Sequence, residues 1–279
     1  MKQRIIDAHM HPDFNDISSI KEAKEAGIDF TLEGLKKDFK RHNIVKAVAI
    51  PQEMAQHFVE GNKEIKKLVL EHPEMFIGAC TISPLKYKPD DLSAIEDDIK
   101  KGIFKAIKLF PGYEFFYPNQ EECTPIYELA QRNKIPILIH TGDTSSPKSR
   151  VKYSHPLNVD DIAVSFPKVN FVLCHLGNPW IMDSAELIYK NDNVYADLSG
   201  FVVGKEEPAH IKYYEDRLRT IMRGIYYADT NIDKILFGTD YPLVNYEFYL
   251  KFVSKLELIK SEFNKLLFEN AVKVFNIKF

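Results

Sequence analysis

Ile5-Ile6-Asp7-Ala8-His9-Met10-His11-Pro12 reads as a β-strand that runs into a loop and finishes on two histidines. Strand side chains alternate between faces, so residues 9 and 11 point the same way, and two imidazoles side by side make half of a metal site. The pattern recurs downstream, where His140, His175 and Asp240 each close a short apolar run. Parallel α/β barrels carry their active sites on that edge, at the C-terminal ends of the strands.

Working outward, strand-like runs begin near Arg4, Val45, Met75, Phe104, Ile135, Asn170, Asn193 and Lys234. Their spacing averages roughly 33 residues, which suits a strand, a crossover helix and two loops. Eight such alternations predict an α/β protein, a (β/α)8 TIM barrel with an additional C-terminal helix; the competing layout is an open doubly wound sheet. No linker interrupts the series, so residues 1–279 read as a single domain. Asp90 is expected to cap a helix whose Leu92, Ile95 and Ile99 share a face and which stops at Gly102. Thr124-Pro125 reads as a cap followed by a first-turn proline. After the last strand, Phe263, Leu266, Leu267, Ala271, Val274 and Phe275 form one stripe of a tail expected to cover the outside of the barrel.

Parity refines the inward set. In Phe171-Val172-Leu173-Cys174-His175 the histidine shares a face with Leu173 and Phe171, so Cys174 is expected to turn outward as a buried spacer. In Ile235-Leu236-Phe237-Gly238-Thr239-Asp240 the aspartate lies on the face of Leu236 and Gly238.

Composition narrows the function. At 45% hydrophobic and 28% charged residues, with a formal net charge of -3, the chain has neither a basic face for nucleic acid nor an apolar run long enough for a membrane helix. Cys80, Cys123 and Cys174, odd in number and unevenly spaced, argue against a disulfide framework and suggest a reducing cytosol. The first strand starts too near Met1 for a signal peptide, so the expected location is cytoplasmic. The expected partner is a small-molecule substrate, with a homodimer as the candidate assembly.

With nine histidines in the chain, a lone His-x-His arises by composition with a chance of roughly 0.3, so the weight rests on the ordered set. That set resembles the amidohydrolase superfamily. The likeness is carried by His9-Met10-His11, Ile107-Lys108-Leu109, His140, Cys174-His175-Leu176-Gly177, Gly238-Thr239-Asp240-Tyr241-Pro242 and Glu269-Asn270-Ala271. The branch it most resembles is the amidohydrolase-related group, which includes aminocarboxymuconate-semialdehyde decarboxylase and small lactonases. The resemblance spans Ile5 to about Phe275. It implies one divalent metal ion, most often zinc, held by His9, His11, His140 and Asp240, with His175 as the catalytic acid/base.

The chemistry is coherent by itself. Imidazoles and a carboxylate suit zinc or a similar first-row ion, which can lower the pKa of bound water to about 7. Asp240 then orients the attacking hydroxide, and His175 polarises the carbonyl or protonates the leaving group. His175 could alternatively be a metal ligand or a structural residue. Lys108, at the inner end of strand four, could anchor a substrate, form a structural ion pair, or, carboxylated, bridge two metals as in related binuclear barrels.

The loops add candidate substrate contacts. Tyr113 lies in the aromatic stretch Pro111–Tyr117, which either walls a pocket or covers the barrel end. Arg150, with Lys148 and Lys152, either grips a carboxylate or is simply solvated. Trp180 either packs at the start of the helix after strand six or touches substrate. His42, His57, His72, His155 and His210 have no ligand spacing and read as surface residues. The expected function is metal-dependent hydrolysis of a small amide, lactone or related carbonyl compound. Non-oxidative decarboxylation at the same site is the runner-up, followed by a Schiff-base aldolase using Lys108 and a non-catalytic barrel.

Overall fold

The computed structural model describes residues 3–52, 58–207, 211–227 and 231–279. His57 and His210 lie outside them. Eight parallel strands follow one another in the order β1 to β8: Ile5–Met10, Ile44–Ala49, Phe76–Thr81, Phe104–Leu109, Ile137–Ile139, Phe171–Leu173, Val194–Asp197 and Ile235–Leu236. The ring closes between first and last strands. Ala8 N–H donates to the Phe237 carbonyl at 2.8 Å, Asp240 N–H to His9 at 2.9 Å and His11 N–H to Tyr241 at 2.7 Å. These bonds satisfy the edges that an open sheet would leave unpaired, so the protein is the barrel and not the doubly wound alternative.

Helices α1 (Ile17–Ala26) and α2 (Leu32–His42) follow β1. Then α3 (Phe58–Glu71), α4 (Pro89–Lys100), α5 (Thr124–Asn133), α6 (Asp160–Ser165), α7 (Ile181–Lys190) and α8 (Ile211–Ile225) connect successive strands. Alternation along the strands builds two apolar layers. Ile6, Ala8, Val48, Ala79, Leu138, Val172 and Leu236 fill the interior. Ile5, Ala47, Cys80, Ile107, Phe171 and Leu173 face the helices.

Two helix starts differ from expectation. Pro89 opens α4 with Lys88 at the cap position, whose N–H donates to Asp91 at 2.8 Å, so Asp91 and not Asp90 satisfies the free backbone donor. Thr124 is already helical (φ -52) because a 3₁₀ turn, Glu121–Cys123, precedes it. In both helices the proline takes the first turn, where its missing N–H costs nothing.

The tail also departs from expectation. After α9 (Tyr246–Val253), α10 (Lys260–Asn264) and α11 (Asn270–Val274) are joined by a π turn over Lys265–Glu269. The turn rotates the apolar stripe and splits it. Leu266 and Leu267 pack in the outer layer. Phe268, Ala271, Val274 and Phe275 join the inner cluster with Ile6, Ile77 and Tyr195, near the strand starts. The tail therefore plugs the bottom of the barrel instead of only covering its side, leaving the opposite end open.

Candidate active site

Strand β1 is irregular between Asp7 and Met10. Ala8 packs inward and Met10 outward, while His9 and His11 both line the cavity at the open end. Alternation thus holds from 9 to 11 and breaks between 8 and 9. His9 Nε2 lies 3.3 Å from His11 Nε2, and Asp240 Oδ1 is 3.4 Å from the first and 3.3 Å from the second.

The outer partners fix what these atoms can do. His9 Nδ1 faces Asp197 Oδ2 at 2.9 Å, and His11 Nδ1 faces the Ile50 carbonyl at 3.2 Å. Both partners are acceptors, so each ring carries its proton on Nδ1 and presents a lone pair at Nε2. Two imidazole lone pairs and a carboxylate oxygen therefore converge with no hydrogen among them. A cation resolves that conflict. A tetrahedral ion with ligands at about 2.0–2.1 Å has ligand–ligand edges of about 3.3–3.4 Å, the spacing found here.

Asp197, at the end of β7, organises the surrounding shell. Its Oδ1 accepts from the His175 and Ser199 backbone N–H groups, each at 3.0 Å, and from the Ser199 hydroxyl at 2.5 Å. Ser199 Oγ in turn accepts from His175 Nδ1 at 2.8 Å, which leaves His175 Nε2 as the ring's free lone pair. Burial alone would push the pKa values of Asp197 and Asp240 up. The imidazoles beside them outweigh it and hold both carboxylates below the usual range. Burial pushes His9 down to about 4, helped by Lys108. His140 and His175 are lowered as well, by burial first, so the rings of His9, His140 and His175 are neutral and the carboxylates of Asp197 and Asp240 are anionic near pH 7.

Two of these residues sit in the left-handed backbone region, His175 at φ 62 and Asp240 at φ 64. Such positions cost about 1–3 kcal/mol each and persist only where neighbours dictate them. Here His175 N–H is tied to Asp197 at 3.0 Å and Asp240 N–H to His9 at 2.9 Å. This turn corrects the parity expectation for β6. Cys174 points inward with Val172, Phe171 and Leu173 point outward, and His175 reaches the cavity because the chain leaves strand geometry there. Gly200 (φ +71) completes the arrangement. A Cβ on it would stand 3.1 Å from His175 Nδ1 and 3.3 Å from Asp240 Oδ2.

His140 lines the same cavity, with its ring 5.1 Å from that of His175. Its Nε2 faces the Asp143 carbonyl at 3.0 Å, and it stands outside the tight His9–His11–Asp240 group. A second group, His9, Cys174 and Asp197, shares His9 with the first and offers no independent place for another ion. Lys108 is 1% exposed, with Nζ 2.9 Å from Cys174 Sγ. Among the described residues no carboxylate lies within ion-pair distance of it, which excludes the structural ion pair.

Tyr113 borders the cavity, its hydroxyl 3.1 Å from Ser145 Oγ. The other two expected substrate contacts lie outside the cavity lining. Arg150 is solvent-exposed with its guanidinium 4.3 Å from the Phe115 ring centre. Trp180 packs on His155, ring centres 4.6 Å apart, just before α7. His42, His72 and His155 are half-buried at the surface, and none of them lines the cavity. The cavity holds about 230 Å³. Sequence reasoning missed Asp197, Ser199 and Glu22. Asp197 closes Val194-Tyr195-Ala196-Asp197 and was accessible to the strand-end criterion. Glu22 enters from α1, half-buried, its carboxyl pushed up by burial and by Asp240.

Comparison with known proteins agrees with this fold. A family model described as amidohydrolase matches residues 6–277. No curated protein matches. Among solved structures, an amidohydrolase from Burkholderia multivorans with bound zinc is similar at 12% identity, TM-score 0.76, over 99% of this chain and 100% of that one. A probable 2-pyrone-4,6-dicarboxylic acid hydrolase from Acinetobacter baumannii is similar at 14% identity, TM-score 0.69, over 99% and 100%. A dihydroxybenzoic acid decarboxylase from Polaromonas with bound manganese is similar at 14% identity, TM-score 0.70, over 98% and 97%.

Proposed function

As the chain belongs to the amidohydrolase family, we propose that it is a metal-dependent hydrolase of a small organic substrate bearing an amide, lactone or related carbonyl bond. The observation that carries this reading is the meeting of three acceptors, His9 Nε2, His11 Nε2 and Asp240 Oδ1, at 3.3–3.4 Å with their protons directed outward. These three would hold the ion, zinc or a similar first-row metal, with His140 beside them at the same mouth. When bound, the ion supplies Lewis-acid polarisation of the carbonyl and acidification of water.

The chain's own residues supply the rest. Water's oxygen bonds to the carbonyl carbon, the bond to the leaving group breaks, and one proton must travel from water to that group. His175 Nε2 suits this transfer because its ring is neutral near pH 7 and held by Ser199. Asp240, a carboxylate at neutral pH, orients the attacking group through Oδ2. Lys108, a buried ammonium without a carboxylate partner, would bind an anionic part of the substrate. That same ammonium favours a second reading, since the carboxylate it holds is the group a decarboxylase releases as carbon dioxide.

The test is incubation of zinc-loaded protein with small lactones, amides and aromatic carboxylic acids, following acid production and carbon dioxide separately. Hydrolysis that a chelator abolishes and zinc restores is expected. The His175→Asn variant should keep its metal by elemental analysis yet turn over about 10²–10⁴-fold more slowly. Carbon dioxide without hydrolysis would select the second reading, and activity indifferent to chelation would contradict both.

A further inference from the structure

On α1, Ser19, Ala23 and Ala26 are buried, and Glu22 shares their face at helical spacing. An apolar side chain would be the ordinary choice at such a place. Glu22 instead lines the metal-site cavity, half-buried. Its hydrogen-bond partner is Ser18, one turn earlier, whose hydroxyl lies 3.4 Å from Oε1. Among the described residues no Lys, Arg or His nitrogen stands within ion-pair distance of it.

Lys108 presents the opposite charge in the same cavity, with Cys174 Sγ as its hydrogen-bond partner. In a ring ordered β1 to β8, β4 stands three places from β1, so the helix after β1 and the end of β4 approach the mouth from nearly opposite sides. The cavity thus carries an unpaired cation on one side and an unpaired carboxylate on the other. Holding the buried Lys108 and the half-buried Glu22 without an opposite charge beside either costs free energy, which a ligand carrying the complementary groups returns.

We infer that Glu22 is a specificity-determining residue that accepts a hydrogen bond from a hydroxyl or ammonium group of a substrate whose carboxylate rests on Lys108. The inference rests on the reading of this cavity as the substrate site of a metal-dependent hydrolase. It narrows the substrate class to small carboxylic acid derivatives with a hydrogen-bond donor at the far end. A plain carboxylate is disfavoured, because it gains nothing from Glu22 and is repelled by it.

Calorimetric titration of zinc-loaded protein with pentanoate, 5-hydroxypentanoate and 5-aminopentanoate tests this, the last two separating a hydroxyl from an ammonium donor. At least one substituted acid should bind about tenfold or more tightly than pentanoate, the value of a hydrogen bond to a charged group. In Glu22→Leu that preference should vanish while pentanoate binds as well or better, a crossing that a merely structural role of Glu22 would not produce. Glu22→Gln, which keeps an acceptor but loses the charge, should retain part of the preference for the hydroxyl and lose that for the ammonium. Lys108→Met should weaken all three acids alike. Absence of any preference in the unaltered protein, its survival in Glu22→Leu, or indifference to Lys108→Met would overturn the inference. Metal content measured on the same samples separates the two readings. A Glu22-dependent preference in protein that takes up no metal would sink the hydrolase reading alone, and chelator-sensitive hydrolysis with no Glu22 effect would sink this one alone.

Discussion

Asp197 shows how much of the site depends on a side chain that touches no substrate. It fixes the proton of His9 on Nδ1, ties down the backbone of His175 and, through Ser199, orients the His175 ring. Asp197→Asn keeps the volume but removes the charge that favours the Nδ1–H tautomer. Metal affinity should fall by about 10–100-fold, measured by competition with a chromophoric chelator, as is usual for partners behind metal-bound histidines. Unchanged affinity would show that His9 is held by other means. The ligand candidates were legible in the sequence because each ends an apolar run and because residues 9 and 11 share a face. Glu22 was not, since only the folding of α1 over the mouth brings it near residues so remote along the chain.

The turns after the strands carry what a period-2 pattern cannot. The strand order and the eight alternations were readable from apolar spacing, with strand starts within two residues of expectation. The inward turn of Cys174 and the split of the C-terminal stripe were not, because a left-handed residue or a π turn resets the phase without any apolar signal. The turn after β7 makes this testable. Gly200 has φ +71 and stands where a Cβ would press on His175 and Asp240. Gly200→Ala should destabilise the protein by about 1 kcal/mol or more. It should also lower turnover by displacing His175, read from urea unfolding and steady-state rates together. A variant with unaltered stability and rate would mean that the turn relaxes freely.

The barrel as a whole gathers buried imidazoles and carboxylates around one cavity, so its stability without metal depends on pH. His9 is held at about 4 against an ordinary 6.5. The unfolded chain therefore binds a proton that the folded chain refuses, and stability is lost as pH falls from 6.5 toward 4. Asp7, buried against Thr239 and Tyr246, is raised from 3.8 to about 6. It contributes in the opposite sense, its stabilisation being lost as pH rises through that window. The two are comparable, each on the order of 3 kcal/mol. The lowered His140 and His175 tip the balance. Urea midpoints of chelator-treated protein should therefore rise from pH 4.5 to 6.5, and Asp7→Asn should steepen the rise. A flat or falling profile would contradict the neutral-imidazole assignment.

A crystal grown with zinc and measured on both sides of the zinc absorption edge reports position and identity of the ion together. The expected result is an anomalous peak bounded by His9 Nε2, His11 Nε2 and Asp240 Oδ1, at about 2.0–2.1 Å from each. Ordered side chains at residues 9, 11 and 240 with no peak between them, in protein saturated with zinc, would contradict the reading of this barrel as a metal-dependent enzyme.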